Sequence, residues 1–186
     1  SGKPLVMSSD GNNAISFVYY SNLIRYPIFL FVTEDARIRR IWSFSKNNSY
    51  TRLFPIKGDY YDAINLANQF AQVEGYLSEG GFRNVARRDS IGTIILDATR
   101  FLGHLPDHYF QALGSGPGAI AAYEAAQRLI VDGRYGKHLP KIHGAQNHPF
   151  VPMVEAWENQ SRTIDERFQD VSAKQLIDQT LAHVLT

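Results

Sequence analysis

The amino-acid sequence predicts an α/β protein in which parallel strands alternate with helices that cover the faces of the sheets. Short apolar runs alternate with longer segments whose apolar residues recur at helical spacing, a pattern typical of parallel sheets. Glycine-containing loops follow two of the strands and lead directly into helices. Of the 186 residues, 44% are apolar and 20% are charged, which is a globular composition for one domain or one and a half small ones.

The first half of the chain is predicted to contain three strands and three helices. Each strand is a short apolar run, and residues 27–33 contain the most apolar one. Residues 59–73 give the clearest amphipathic helix, and Gly75 follows as a C-terminal stop. The buried face of this helix is predicted to carry Tyr60, Ile64, Ala67 and Ala71. The strands are predicted at 3–8, 27–33 and 52–56, and the helices at 13–25, 35–44 and 59–73.

The second half continues the alternation and ends in helical segments. A helix over 117–131 is stopped by Gly133, and the chain from residue 154 onward has the pattern of two helical pieces that break near Ser161. The remaining elements are strands at 76–78, 107–113 and 141–146 and a helix from about 90 to 102. We therefore predict a small α/β domain over 1–73, part of a large α/β domain over 74–153 and a helical tail over 154–186.

Composition and charge exclude several classes of protein. The chain has 19 Lys and Arg against 18 Asp and Glu, a net charge of +1, so it lacks the basic footprint of a nucleic-acid or anionic-membrane binder. It contains no cysteine, which excludes disulfides, thiolate catalysis and cysteine metal sites. The six histidines lack metal-ligand spacing, so we predict no metal site. No apolar run approaches the roughly 20 residues of a membrane helix, and we expect a cytoplasmic protein.

The first candidate site is the loop Gly114-Ser115-Gly116-Pro117-Gly118, between a predicted strand and a predicted helix. Glycines let a ligand approach the backbone, free amides and the helix dipole attract phosphate, and Pro117 suits the first helical position. The alternative is that the glycines serve only tight packing of strand against helix. A dinucleotide site is disfavoured, because the next strand ends at residues 145–147 without a carboxylate to hold a ribose.

The second candidate site is the loop Ser9-Asp10-Gly11-Asn12-Asn13, which also lies between a strand and a helix. Its backbone amides and two amide side chains form the kind of nest that binds a carboxylate. The alternative interpretation is an ordinary helix cap made by Asn or Ser.

The third candidate is the arginine-rich segment 78–89, which contains Arg83, Arg87 and Arg88 near a glycine turn. Guanidinium groups bind the oxygens of phosphate or sulfonate in pairs, so these side chains are candidates for an anionic ligand. The alternative is a solvated basic patch with Asp89 as its partner.

Four motifs in this order resemble those of the cysteate synthases, relatives of threonine synthase in the pyridoxal-phosphate family of tryptophan synthase β-subunits. They are Ser-Asp-Gly-Asn at 9–12, Ser-Glu-Gly-Gly-Phe-Arg-Asn-Val-Ala-Arg-Arg-Asp at 78–89, Gly-Ser-Gly-Pro-Gly-Ala at 114–119 and Gln-Asn-His-Pro-Phe-Val-Pro-Met at 146–153. The likeness runs from about Lys3 to Trp157. It implies the parallel-sheet, three-layer units of the tryptophan synthase β-like fold, incomplete at both ends.

The resemblance also implies a chemistry and a set of site residues. Such enzymes hold pyridoxal phosphate as a Schiff base, and cysteate synthases expel phosphate from O-phosphoserine and add sulfite. By position, Asn12 bonds the ring hydroxyl, Arg87 and Arg88 face the anionic side of the substrate, and Gln146 and Asn147 line the cleft. The cofactor phosphate is assigned to Gly114, Ser115, Gly116, Gly118 and Ala119, and the substrate carboxylate to Ser9, Gly11, Asn12 and Asn13.

The chain also departs from the family pattern. The Schiff-base lysine is expected a few tens of residues before Ser9, and none of the six lysines present matches it, so no catalytic residue is assigned. Pro117 replaces a threonine of the phosphate loop, and Asp10 stands where a small residue is usual. A carboxylate at position 10 repels a bound carboxylate unless it turns away. Asn13 and Ser90 replace a threonine and a glycine.

Three interpretations remain open for the whole chain. It is a truncated or split cysteate-synthase-like protein, inactive alone and completed by a missing subunit or by a second copy. Alternatively, it is a non-catalytic relative, a pseudoenzyme that binds an anion or a protein partner, or a small enzyme of changed chemistry. The expected ligands are a small anionic amino acid or phosphate.

Overall fold

The computed structural model describes residues 2–34, 41–42 and 45–168. The chain divides into two compact units, of which the first ends at Gly80 and the second begins at Gly81. This division lies a few residues after the 73/74 boundary expected from the sequence, because Leu77 and Ser78 form a strand of the first unit and pair with Leu5 and Val6.

The first unit contains a four-stranded parallel sheet with the strand order β3-β2-β1-β4. Leu5 lies opposite Ile28 on one side and Leu77 on the other, and Ile28 lies opposite Thr51. The strands are β1 (Leu5–Ser8), β2 (Ile28–Thr33), β3 (Thr51–Ile56) and β4 (Leu77–Ser78), and the helices are α1 (Asn12–Leu23) and α2 (Tyr60–Glu74). The predicted parallel α/β class is confirmed.

Helices α1 and α2 cover opposite faces of the sheet of the first unit, which makes three layers. Alternate residues of a strand point to opposite faces, so Leu30 and Val32 pack with α1 while Phe29 and Phe31 pack on the other side. On the α1 side the core includes Met7, Ala14, Val18, Leu30 and Val32, and on the α2 side it includes Val6, Phe31, Ala67 and Ala71.

Helix α2 begins and ends as its sequence predicts, but its buried face is partly different. The Asp59 carboxylate accepts hydrogen bonds from the amides of Tyr61 and Asp62, and Gly75 closes the helix in the left-handed conformation. The prediction that Tyr60 lies on the buried face is wrong, because Tyr60 is the first helical residue and its hydroxyl reaches the Ser8 carbonyl at 3.3 Å instead. The buried residues are Ala63, Ala67 and Ala71.

The second unit contains a two-stranded parallel sheet and three α-helices within the described residues. Its α-helices are α3 (Val85–Leu102), α4 (Pro117–Asp132) and α5 (Pro152–Glu158), and its strands are β5 (His108–Ala112) and β6 (Lys141–Ala145). Short 3₁₀ turns lie at Gly81–Arg83 and Glu166–Phe168. The core lies where α3 and α4 cross closely, because a Cβ on Gly92 would be only 3.1 Å from the Ala125 Cβ.

The start of α3 differs from the sequence prediction. The helix begins at Val85 and not near residue 90, because the Asn84 side chain accepts a hydrogen bond from the Arg87 amide at 3.2 Å and caps the first turn. Arg87 and Arg88 therefore lie on the first turns of a helix, whereas Arg83 ends the 3₁₀ turn that precedes it.

Two predicted segments lie wholly or partly outside the described residues. Of the helix predicted at 35–44, only Ile41 and Trp42 are described, and both are helical. Of the predicted tail, α5 is described and ends at Glu158, near the expected break at Ser161, while residues 169–186 lie outside. Among the described residues, none of the helices is both long and apolar enough to cross a membrane.

Candidate functional site

The glycine loop, residues 114–118, joins the carboxyl end of β5 to the first turn of α4. Gly116 is the N-cap of α4 and has a φ of 84°, a left-handed conformation that favours glycine. Pro117 occupies the first turn, where its missing N–H costs no helical hydrogen bond. The amides of Gly118 and Ala119 are in the first turn and lack intrahelical acceptors, and the helix has no side-chain cap within the described residues. Helix starts of this kind attract anions.

Gly118 also packs closely against a side chain of the strand behind it. A Cβ at this position would be 2.4 Å from Oε1 of Gln111, a residue of β5. Gln111 is itself held, because the Tyr109 hydroxyl donates to its Oε1 at 2.6 Å and its Nε2 donates to the Ala112 carbonyl at 3.0 Å. Burial raises the pKa of the Tyr109 phenol. Tight strand-to-helix packing therefore accounts for Gly118, while Gly116 is accounted for by its backbone conformation.

Gln146 and Asn147 follow β6 at the same sheet edge as the glycine loop. The Gln146 side chain is bonded at both ends: its Nε2 donates to the Leu113 carbonyl at 3.3 Å, and its Oε1 accepts from the Met153 amide at 2.8 Å. Asn147 is exposed. The structure thus places Gln146 against Leu113, the residue before the glycine loop, with Asn147 next to it in the chain. A contact of either residue with substrate stays a prediction.

The loop Ser9–Asn13 joins β1 to α1 in the first unit. Gly11 is the N-cap of α1, and no side-chain cap bond is found within the described residues, so the alternative interpretation of an Asn or Ser cap is wrong. The Ser9 hydroxyl instead accepts a hydrogen bond from the Gly11 amide at 3.4 Å. Asn12 and Asn13 are exposed at the start of α1, where the positive end of the helix dipole favours a carboxylate.

Asp10 turns away from this nest. Its Oδ1 accepts from the Thr33 amide and its Oδ2 from the Thr33 hydroxyl, both at 2.8 Å, so the carboxylate is bonded to the end of β2. The contact was not predicted from the sequence. Thr33 is recognisable there as a polar residue at the end of a predicted strand, but the sequence does not show that this strand lies beside β1. The repulsion expected between Asp10 and a bound carboxylate is reduced accordingly.

The two arginines assigned to the substrate lie on the first turns of α3. Arg88 is bonded within the unit: its Nε donates to both carboxylate oxygens of Glu124 at 3.0 and 3.1 Å, and its Nη1 donates to the Phe82 carbonyl at 2.7 Å. Asp89, suggested as the partner of the arginines, bonds Arg128 of α4. Arg87 is half-buried. Arg88 therefore joins α3 to α4.

Two loops thus stand at the carboxyl ends of parallel strands, each in its own unit and each opening a helix without a side-chain cap within the described residues. Ligands of open parallel α/β sheets bind at this edge. A family model described as "Pyridoxal-phosphate dependent enzyme" matches residues 1–184. The chain belongs to this family.

Curated relatives in the family carry the name cysteate synthase. The protein from Methanosarcina barkeri is 44% identical over 187 residues, covering 100% of this chain and 45% of the relative. The protein from Methanoregula boonei is 46% identical over 181 residues, covering 97% of this chain and 42% of the relative. The chain thus spans less than half the length of the relatives it matches.

Solved structures of low sequence identity share the fold. Maize serine racemase superposes with a TM-score of 0.69 at 11% identity, covering 89% of this chain and 47% of that one. Holo diaminopropionate ammonia lyase from Escherichia coli superposes with a TM-score of 0.62 at 13% identity, covering 87% and 42%. The fold expected from the resemblance is therefore confirmed, and the chain corresponds to part of it.

The glycine loop fits the phosphate end of the family's cofactor. Gly116 is left-handed, the first turn of α4 is uncapped within the described residues, and Ser115 is exposed beside it. Loops of this kind bind phosphate through their backbone amides. Pro117 removes one amide from this set. Within the described residues, no group of three or more His, Asp or Glu side chains is arranged to hold a metal ion.

Proposed function

We propose that the chain supplies the cofactor-phosphate loop and the substrate-carboxylate loop of a cysteate-synthase-like enzyme. The observation that carries this proposal is the glycine loop at the end of β5, with its left-handed Gly116 and uncapped helix start. Gly114, Ser115, Gly116, Gly118 and Ala119 hold the phosphate of pyridoxal phosphate. Ser9, Gly11, Asn12 and Asn13 hold the substrate carboxylate, and Asn12 also bonds the ring hydroxyl.

The proposed reaction is a β-replacement on O-phosphoserine, in which phosphate leaves and sulfite is added. Pyridoxal phosphate supplies the electron-withdrawing group that such a reaction needs. The residues of this chain bind and orient: the amides of the glycine loop fix one end of the cofactor, and the nest at the start of α1 fixes the amino acid by its carboxylate. None of the six lysines matches the family's Schiff-base position, so we propose that the chain is inactive alone and works with a missing subunit or a second copy.

The test is a pyridoxal-phosphate titration followed by borohydride reduction and intact-mass analysis. We expect saturable binding that inorganic phosphate displaces, without a stable adduct at one mapped lysine. Absence of saturable binding would contradict the phosphate loop. A single mapped adduct that phosphate abolishes would contradict the proposed inactivity, because the chain would then contain its own cofactor lysine.

The second candidate is a non-catalytic relative that binds an anion, and Pro117 is the observation that favours it. A proline at this position removes one amide donor from the phosphate loop. The Asp10 carboxylate does not favour this candidate, because it is bonded to Thr33, which reduces its repulsion of a substrate carboxylate in the loop at residues 9–13. Joining the chain to the flanking segments of the M. barkeri relative separates the two. Phosphate release from O-phosphoserine with sulfite supports the enzyme, and phosphate binding without turnover supports the alternative.

The cytoplasmic location stays a prediction.

A further inference from the structure

Leu113, the residue that connects β5 to the glycine loop, is held on three sides. Its amide donates to the Ala145 carbonyl at 2.7 Å, and its carbonyl accepts from Nε2 of Gln146 at 3.3 Å. Its side chain lies over Gly144, where a Cβ would be only 2.3 Å from Leu113 Cδ1. Both backbone groups of the residue before the loop are therefore fixed by the end of β6.

The other end of the Gln146 amide holds the start of α5. Its Oε1 accepts from the Met153 amide at 2.8 Å and from the Val154 amide at 3.2 Å. Both amides lie in the first turn of α5, and its N-cap residue, Val151, makes no side-chain hydrogen bond to them. Gln146 therefore caps this helix. Met153 in turn covers the loop, because its Cε lies 3.6 Å from the position of a Cβ on Gly116.

We propose that Gln146 is a positioning residue for the phosphate loop, because its side-chain amide links Leu113 to the start of α5 and so fixes both supports of the loop. Gln146 then acts through Leu113 and Met153 rather than by touching the anion. The ligand is a phosphate monoester or inorganic phosphate, so this inference rests on the proposed function of the loop.

Two variants separate the two ends of the amide. Gln146→Glu keeps an oxygen that accepts from α5 but loses the donor to the Leu113 carbonyl. Gln146→Met has a similar length and loses both. Gln127→Glu is the matched control, because Gln127 lies on α4 and donates to the Tyr123 hydroxyl on the exposed surface. Phosphate affinity is measured by ³¹P NMR titration of the full chain, and urea unfolding is measured in parallel.

We expect Gln146→Met, which adds no charge beside the loop, to weaken phosphate binding about tenfold, the size of one lost hydrogen bond. Gln146→Glu should lose at least as much, because its added carboxylate also repels phosphate. Only Gln146→Met should also lower the urea midpoint, because Gln146→Glu retains the cap on α5. Gln127→Glu should match the parent in both measurements. Parent-like phosphate affinity in both Gln146 variants would overturn the proposal, as would a loss of affinity that follows the loss of stability in every variant.

Amide hydrogen exchange separates this inference from the proposed function. The Leu113 amide should exchange about tenfold faster in both Gln146 variants. The Lys141 amide, which donates to the Asp107 carbonyl at 2.8 Å at the other end of the same strand pair, should be unchanged. If the parent binds no phosphate, the proposed function fails, and the Leu113 exchange rate still decides whether Gln146 fixes the loop. Unchanged Leu113 exchange would contradict the positioning role.

Discussion

The two candidate loops occupy the same topological position but are held in different ways. In the loop at residues 9–13, a charged side chain of the loop itself, Asp10, bonds the end of the neighbouring strand at Thr33. In the loop at 114–118, the loop residues are glycine, serine and proline, and the described supports come from outside it, chiefly from Gln146 and Met153. The first loop is therefore fixed by one of its own side chains, and the second by side chains that follow it in the sequence.

The largest expected effect is on phosphate binding by the glycine loop. In Gly116→Ala, a residue with a Cβ must adopt a φ of 84°, which costs about 1–2 kcal/mol and shifts the amides that face the anion. We expect phosphate binding to fall at least about tenfold, on the same free-energy scale. Phosphate titration and urea unfolding measure the two effects.

Gly133→Ala is the matched control for this prediction. Gly133 closes the other end of α4 at a φ of 82°, with no atom within 4 Å of a new Cβ among those described. It should lose a similar amount of stability and keep the parent's phosphate affinity. Equal losses of affinity in the two variants would show that phosphate binding responds to general destabilisation and not to the loop.

The second-largest effect is expected on the stability of the first unit, through the loop at residues 9–13. In Asp10→Ala, the Thr33 amide and hydroxyl both lose a charged acceptor, and we expect the first unit to lose about 1.5–3 kcal/mol of stability. Asp10→Asn keeps an acceptor for the Thr33 amide and should lose less. Measured in a Trp157→Phe background, the fluorescence of Trp42 reports unfolding of the first unit. Parent-like stability of Asp10→Ala would mean that the contacts with Thr33 contribute nothing.

How far the sequence predicts these loops depends on the range of the interactions. The periodicity of apolar residues correctly predicts the strands around both loops, and glycine with proline correctly predicts the start of α4, because those signals are local. The contact of Asp10 with Thr33 and that of Gln146 with Leu113 join residues 23 and 33 positions apart, respectively, and depend on strand order. A single sequence does not specify which strands are neighbours, so these supports could not be predicted.

A third prediction asks whether Arg88 contacts the substrate or only joins α3 to α4. Its Nε–H is shared between the two carboxylate oxygens of Glu124 and joins α3 to α4, and its side chain is only 17% exposed. A double-mutant cycle with Arg88→Lys and Glu124→Gln should give a coupling free energy of about 1 kcal/mol in unfolding. A coupling near zero would favour the original assignment of Arg88 to the anionic side of the substrate, provided that Arg88→Lys alone weakens phosphate binding.

The smallest effect concerns the strand behind the glycine loop. Burial raises the pKa of the Tyr109 phenol, so the folded chain favours the neutral hydroxyl that donates to Gln111 behind Gly118. Because the pKa is raised in the folded state, this contribution is fully present below the ordinary tyrosine pKa of about 10 and is lost as the pH rises through the raised value. Tyr109→Phe cannot titrate, so its stability should fall less steeply than the parent's in urea unfolding series between about pH 9 and 11. Tyr123→Phe removes a tyrosine hydroxyl from the surface of α4 and controls for the substitution. Identical profiles of stability against pH for the parent and Tyr109→Phe would exclude Tyr109 as a source of the pH dependence.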